Sequence, residues 1–285
     1  MIVRLKETEK AAHLFEGWQE TIIWSCLQKV MGEIYGDAQE DPTSAMALLG
    51  DFCFLAGEPD QELVLYAAGR CRTDFVIMVP QDGRWEAVIE ACFADGAEAL
   101  EGAKGPEGRL KKVSRYAIKK EPDIFDREKL QAIVDGLPAG YVLAMIDEDL
   151  FTRCGKTPWC RDLVAQYDDY DQYQRYGLGA VILEDGQVVS GASSYSSYLG
   201  GIEIEIDTRE DRRRKGLALV CGAKLILECL ERGWYPSWDA HNRGSVALAE
   251  KLGYHFDRGY TAYEVWGGGE GLSTAFEGDE IHQER

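Results

Sequence analysis

The 285-residue sequence has only four histidines and eight prolines, and no apolar run approaches the ~20 residues of a helical membrane span. Its first ten residues are charged and lack the apolar core of a signal peptide. No membrane partner is therefore expected. None of the eight cysteines (Cys26, Cys53, Cys71, Cys92, Cys154, Cys160, Cys221, Cys229) stands in a Cys-x-x-Cys pair. With histidine so scarce, no metal site is expected. Several cysteines sit inside apolar runs, as small buried residues do, and the simplest reading is a reduced, cytoplasmic protein. The P-loop pattern, Gly-x-Ser-x-Gly and His-Glu-x-x-His are all missing, which removes support for P-loop nucleotide binding, serine hydrolysis and zinc proteolysis. Positive charge is short as well: 31 Lys and Arg stand against 50 Asp and Glu, for a net charge of −19. A phosphodiester polymer needs a basic surface, so no nucleic-acid partner is expected. A negative cleft would instead attract a cationic small molecule, although the same acidity also serves plain solubility.

The remaining composition, 45% hydrophobic and 28% charged, is that of a globular protein with room for two ordinary domains or one large one. Helical spacing of Trp18, Ile22, Leu27 and Val30 predicts a helix over 18–31. Asp41-Pro42 reads as the start of another helix. Residues 51–57 and 62–67 read as a hairpin around Glu58-Pro59-Asp60-Gln61. A strand at 74–80, a helix at 85–93, a glycine-rich loop at 96–108, a strand at 113–118 and a helix at 126–134 follow. The turn cluster from Gly136 to Gly140 is the expected domain boundary. Beyond it come a strand at 141–146, helical pieces to about 174, and strands at 178–183 and 188–196 joined by Asp185-Gly186. Then come an alternating strand at 202–208, a helix at 215–232, a strand at 235–240, a helix at 243–252 and a last strand or hairpin at 255–266. The pattern predicts an α/β chain with a mixed sheet covered by helices. It predicts an N-terminal α/β domain over 1–138, a second domain over 139–266 and an acidic flexible tail over 267–285. A similar helix–hairpin–strand–helix order in the first half leaves a degenerate duplication open.

One stretch contradicts its surroundings. The strand Ile202–Thr208 leads into four consecutive cations, Arg212 to Lys215, then Gly216 and a long apolar-periodic helix. Cations are the wrong charge for a helix N-terminus, whose free N–H groups and dipole favour anions. A bound polyphosphate would resolve the conflict; the other reading is a solvated basic turn.

The run Arg213-Arg214-Lys215-Gly216-Leu217-Ala218, between an alternating strand and a long helix, resembles the Arg/Gln-x-x-Gly-x-Gly/Ala signature of the GNAT N-acetyltransferase superfamily. Asn242 after a strand, followed by Leu252-Gly253-Tyr254 at a helix end, resembles that superfamily's second motif, and the likeness covers about 141–266. Ile202–Thr208 and Pro236-Ser237-Trp238-Asp239 further resemble the GNAT group that includes the zwittermicin A resistance acetyltransferase. The resemblance implies an acyl-CoA N-acyltransferase fold in the C-terminal half, with the N-terminal domain as a helper or a degenerate GNAT-like half. It implies acetyl-CoA as cofactor. The amides of Arg214, Lys215, Gly216, Leu217 and Ala218 would then take the pyrophosphate, with charge from Arg213 and Lys215. The backbone of Ile206, Asp207 and Thr208 would pair with the pantetheine amides, and Asn242 would bond the cofactor, unless it only caps its helix.

Acetyl transfer needs a neutral amine, and a carboxylate is a suitable base. Glu203, Glu205 and Asp207 share one strand face, opposite Ile202, Ile204 and Ile206, so Glu205 or Glu203 is the expected base. Many family members place an acid Tyr where this chain has Ala249; Ser245, Tyr254 or water are the substitutes. His241 is the other candidate base. Tyr167, Tyr170, Tyr173 and Tyr176, interleaved with acids, read either as a site for a cationic acceptor or as an amphipathic helix. The expected activity is direct acetyl transfer to a primary amine of a small molecule. A CoA-binding regulatory protein without catalysis is the second reading, and monomer and homodimer both remain open.

Overall fold

The computed structural model describes residues 1–70, 75–93 and 110–266. The expected loop at 96–108, the tail at 267–285 and Cys71 lie outside the described residues. In chain order, β1 (Val3–Arg4) is followed by a 3₁₀ segment (Thr8–Phe15), α1 (Thr21–Leu27), β2 (Glu33–Gly36), β3 (Ser44–Leu49) and β4 (Phe52–Gly57). Next come α2 (Gln61–Arg70), β5 (Phe75–Pro80), α3 (Gly83–Cys92), β6 (Leu110–Ile118), α4 (Arg127–Asp135) and β7 (Tyr141–Met145). Then follow α5 (Glu148–Lys156), a 3₁₀ segment (Pro158–Leu163), α6 (Tyr170–Tyr176), β8 (Gly179–Glu184), β9 (Gln187–Tyr198) and β10 (Gly201–Thr208). After a 3₁₀ turn (Glu210–Arg212), the chain ends in α7 (Leu217–Glu231), β11 (Tyr235–Ser237), β12 (Asp239–Ala240), α8 (Arg243–Leu252) and β13 (Phe256–Trp266). No helix among the described residues is long and apolar enough to cross a membrane. The seven described cysteines are free thiols, and all but Cys92 are buried.

The residues form two compact units that interleave along the chain. The first holds Met1–Trp18, Gly32–Val113 and the described part of Thr261–Arg285; the second holds Gln19–Met31 and Ser114–Tyr260. This division differs from the linear one read at residue 138: the turn cluster at Gly136–Gly140 lies inside the second unit. The reason is packing. Leu130 of α4 is fully buried in the same core as Leu217, Val220 and Leu225 of α7, so α4 belongs with the helix that follows it by some 90 residues.

In the first unit, β2, β3 and β4 form an antiparallel meander, and β5 lies parallel to β4 after the crossover α2. Residues Tyr263–Trp266 of β13 pair antiparallel with β5. Met46, Leu55, Leu63, Met78, Trp85 and Tyr263 make its core. Two expectations change here. Residues 44–49 are a buried strand and no helix starts at Asp41-Pro42, because Ser44–Leu49 fills the sheet between β2 and β4. Residues 61–70 are a helix, not the second arm of a hairpin. Asp60 accepts from Glu62 N at 2.7 Å and starts a helical turn, and a short apolar run does not by its period distinguish helix from strand.

In the second unit, β7, β8, β9 and β10 are antiparallel neighbours, and β11 runs parallel to β10 after the crossover α7. Asp185 and Gly186, with φ of 50° and 74°, make the primed turn expected between β8 and β9. The Ile202 and Ile204 face of β10 packs on Leu217, Val220 and Cys221 of α7. The strand read at 235–240 is two strands, because β11 pairs with β10 whereas β12 turns to pair with β6 at Ala117 and Tyr116. With β1 antiparallel to β2, both units thus share one order: four antiparallel strands, a helix, a strand parallel to the fourth and, after the short β12 in the second unit, a helix.

Leu130→Ala removes a side chain with no exposed surface from the α4–α7 core and is expected to destabilise the second unit by about 2–5 kcal/mol, read by urea denaturation.

Candidate functional site

The first structural element of the site is an uncapped helix. Helices α3, α4, α5, α6 and α8 begin with an Asp or Asn side chain, Asp82, Asp126, Asp147, Asp169 and Asn242, bonded to first-turn amides. The 15-residue α7 has no side-chain cap and no acid in its first turn. Its N-cap is Gly216 at φ 80°, a left-handed conformation that favours glycine, and a Cβ there would meet nothing within 4 Å. Arg214, at φ 63°, is also left-handed, and successive left- and right-handed residues turn backbone N–H groups toward a common point. Arg212 is tied to Glu184 at 2.5 Å and to Asp211 at 2.6 Å. Arg213, Arg214 and Lys215 are exposed and form no ion pair with a carboxylate among the described residues. Free amides, three spare cations and an open approach fit a polyphosphate.

The repeat in the first unit makes the opposite choice. There the crossover helix α2 starts beside Glu58, Asp60 and Glu62, and Asp60 occupies a first-turn amide. A carboxylate already sits where an anion would bind, whereas the start of α7 carries no such carboxylate among the described residues.

The second element is an open strand edge. β10 pairs with β11 only at Gly201, Ile202 and Glu203, opposite Tyr235, Pro236 and Ser237. From Ile204 to Thr208 its other edge pairs with β9, while no strand among the described residues covers this one. The N–H and C=O groups of Ile206 and Thr208 on this edge can pair with an extended ligand bearing amides, whereas those of Asp207 face β9, where the Asp207 carbonyl accepts from Ser190 Oγ at 3.2 Å. The two elements join at Thr208, whose carbonyl accepts from Arg213 Nε at 3.3 Å.

The third element is the acidic face. Glu203 is buried, and burial pushes its carboxyl up to about 7; nearby Asp239 adds to this, while Lys120 and the Thr21 hydroxyl oppose it. Thr21 Oγ1 donates to Glu203 Oε2, and Glu203 Oε1 has no hydrogen-bond partner. Asp239 is held in place by Arg115 Nε at 2.7 Å and by the Tyr260 hydroxyl at 2.8 Å. Glu205 and Asp207 are half-buried on the same face. Burial, with Asp162 adding, pushes Asp207 up to about 6, and Arg213 opposes the rise. Sequence reading missed Thr21, Lys120 and Asp239 as neighbours of this face, since they lie 182, 83 and 36 positions from Glu203.

The remaining candidates separate by geometry. Asn242 Oδ1 caps α8, accepting from Ser245 N at 3.0 Å, and Ser245 Oγ lies 3.5 Å from the same atom. Tyr254 is fully buried, its hydroxyl donates to the Pro236 carbonyl at 2.6 Å, and burial pushes it well above the usual tyrosine range. Ala249 is packed in the core with α7. His241 Nδ1 is 3.4 Å from Arg115 Nη1 on the exposed turn. Tyr167 and Tyr173 are buried and bond Ser194, Ser197 and Ser193 of β9, so two of the four tyrosines are core.

A profile of the family described as GNAT acetyltransferase matches residues 12–263. A GCN5-related N-acetyltransferase-like protein from Streptococcus suis is 47% identical, with a TM-score of 0.82 over 92% of this chain and 99% of that one. The uncharacterised N-acetyltransferase YdfB of Bacillus subtilis is 29% identical over 258 residues, 85% of this chain and 89% of YdfB. A tandem GNAT protein from the clavulanic acid biosynthesis pathway, 13% identical, has a TM-score of 0.52 over 93% of this chain and 98% of that one, a likeness of fold alone.

The buried carboxylate makes stability depend on pH. Between the usual 4.5 and about 7 the unfolded chain releases the Glu203 proton while the folded chain keeps it, so stability falls as pH rises through this window and levels off above it. The size is of the order of 3 kcal/mol. Glu203→Gln should flatten this slope and leave the protein more stable than wild type at pH 8, as checked by urea denaturation at pH 4.5 and pH 8.

Proposed function

The chain belongs to the GNAT acetyltransferase family and is an acetyltransferase, and on that premise we propose that it moves the acetyl group of acetyl-CoA directly to the primary amine of a small molecule. The observation that carries the reading is the continuity of β10. An uncapped, cation-flanked helix start lies at one end, an unpaired edge runs between, and a buried carboxylate sits at the point where β11 departs. Five residues of extended strand separate Thr208 from Glu203, about 17 Å. That is the reach needed by an extended arm between a pyrophosphate and a thioester.

In this reading the amides of Arg214 to Ala218 hold the pyrophosphate, with charge from Arg213 and Lys215. The Ile206–Thr208 edge orients the amide-bearing arm. Acetyl-CoA supplies an activated acyl group on a thiol leaving group. Glu203 takes the proton released by the amine; it is preferred to Glu205 because its burial holds it near neutrality, where a base both accepts and returns a proton. Ala249 has no proton to give and the Tyr254 hydroxyl is committed to Pro236, which leaves Ser245 or water to protonate the departing thiolate. Asn242 and Ser245 stand at the α8 start as further cofactor contacts. The net charge of −19 and the carboxylate face of β10 favour a cationic acceptor. The likeness to the zwittermicin A resistance group supports an amino-bearing antibiotic or metabolite.

Isothermal calorimetry with acetyl-CoA tests the cradle. Gly216→Glu should bind at least ~100-fold more weakly than wild type, about 2.7 kcal/mol. Equal affinity in the two proteins would remove the cradle from the reading. Glu203→Gln should keep acetyl-CoA affinity within about twofold and lose roughly 10²–10⁴ in kcat. The wild-type rate should rise with pH through about 7, as Glu203 ionises, and this limb should vanish in the variant. Full turnover by Glu203→Gln would move the base elsewhere, and binding without turnover in wild type would favour a regulatory CoA-binding protein.

A further inference from the structure

β9 is unusual in carrying five buried serines, Ser190, Ser193, Ser194, Ser196 and Ser197. Four of their hydroxyls have partners. Ser190 Oγ meets Thr208 Oγ1 at 2.7 Å, and Ser193 Oγ meets the Tyr173 hydroxyl at 2.8 Å. Ser194 Oγ accepts from the Tyr167 hydroxyl at 2.6 Å and from Leu178 N at 3.0 Å. Ser197 Oγ donates to the Tyr176 carbonyl at 2.5 Å. Ser196 Oγ, in a residue with no exposed surface, has none.

Glu203 Oε1 is the other buried side-chain atom without a partner among the described residues. The two are not scattered. Ser196 and Glu203 are directly opposed in the β9–β10 ladder, beside the register shift between Glu203 and Ile204. Cross-strand partners share a face, with Cβ atoms about 5 Å apart. Two orphaned polar atoms therefore face one spot, at the residue where β10 parts from β11. A buried hydroxyl and a buried carboxylate oxygen without partners are costly, and paired costs of this kind mark functional sites.

We propose that Ser196 Oγ and Glu203 Oε1 together receive the acceptor's amine nitrogen. This rests on the acetyl-transfer reading above. A neutral primary amine has two N–H donors and one lone pair. One N–H goes to Ser196 Oγ and the other to Glu203 Oε1, and the lone pair is left for the acetyl carbonyl carbon. A secondary amine has one N–H and leaves one of the two oxygens unmet. The C–N bond forms, the C–S bond breaks, the thiolate leaves with the electron pair, and the amine proton passes to Glu203 Oε1. Thr21 holds the other carboxylate oxygen, so Oε1 is the one turned over to substrate. Burial also favours the uncharged, nucleophilic form of the amine.

Ser196→Ala tests this, with Ser196→Thr as the variant that keeps the hydroxyl. Acetylation is followed by thiol release with n-butylamine, cadaverine, tyramine and glucosamine, each beside its N-methyl counterpart. Acetyl-CoA affinity and Tm are measured on the same proteins. The expected result is that wild type prefers primary over N-methyl amines by about 100-fold. Ser196→Ala should lose about 10–100-fold in kcat/KM for primary amines, and most of the preference, at unchanged acetyl-CoA affinity. Its Tm should be equal or higher, because an unpartnered hydroxyl is removed. Ser196→Thr should restore the preference. Equal preference in wild type and Ser196→Ala, with wild type active, would overturn the assignment and leave the acetyltransferase reading standing. A fall in Tm and acetyl-CoA affinity together with the rate would show a structural serine and overturn it too. Tight acetyl-CoA binding with no amine acetylated by wild type would remove the functional reading, and this one with it.

Discussion

The site depends on one interruption: the pairing of β10 with β11 stops after Glu203. Up to that residue β10 is an ordinary interior strand with neighbours on both sides. Beyond it, one edge carries backbone groups that no strand among the described residues pairs, a condition that sheets generally avoid or cover. The interruption has a cause in the chain. After Ser237 the backbone turns to pair β12 with β6, so the strand that could have continued beside β10 is committed elsewhere. Arg115, itself buried, anchors that departure through Asp239. The open edge follows from this parting of two strands, with the buried Glu203 at its root and the uncapped start of α7 beyond its tip.

The two units show how charge selects function within a repeated topology. Each has four antiparallel strands, a crossover helix and a strand parallel to the fourth. In the first unit the crossover helix is opened by Asp60, which occupies an N-terminal amide. In the second it is opened by glycine after three exposed cations. The backbone orders are alike, so fold alone would assign an anion to either. Side chains at the helix start settle which half is electrostatically free to take one.

Much of the second unit was legible because its signals are local. The alternation of Ile and acid over 202–208, the Asp185-Gly186 turn, the Asp126 cap and the bounds of α8 each depend on neighbours within a few residues, and each stands where it was read. The first unit was harder. Ala, Met and Leu of β3 have helical propensity, and only sheet neighbours on both sides make them a strand. The unit boundary was invisible for a related reason: residues 19–31 and α4 join the second unit through contacts that span most of the chain. Of the candidate site, the glycine start of α7 and the alternating acidic strand could be read. Thr21 and Asp239 could not, because their meaning lies in which atoms of Glu203 and Arg115 they meet across the chain.

That distinction bears on why the Glu203 carboxyl is raised. Its neighbours divide into those that hold the charge and those that resist it. Burial and the Asp239 carboxylate oppose the ionised form; Lys120, the Thr21 hydroxyl and the Asp239 backbone N–H favour it, and opposition prevails. A carboxylate fully satisfied by hydrogen bonds would be a weak base, and one with no partner would stay protonated throughout the neutral range. Satisfying one oxygen and leaving the other bare places the group between these limits. The arrangement costs stability near neutral pH, and a core built only for stability would have put an apolar side chain there. The helix that supplies Thr21 comes from residues 19–31, ahead of most of the first unit in sequence. A division of this chain at residue 138 would separate Glu203 from the Thr21 hydroxyl that donates to it.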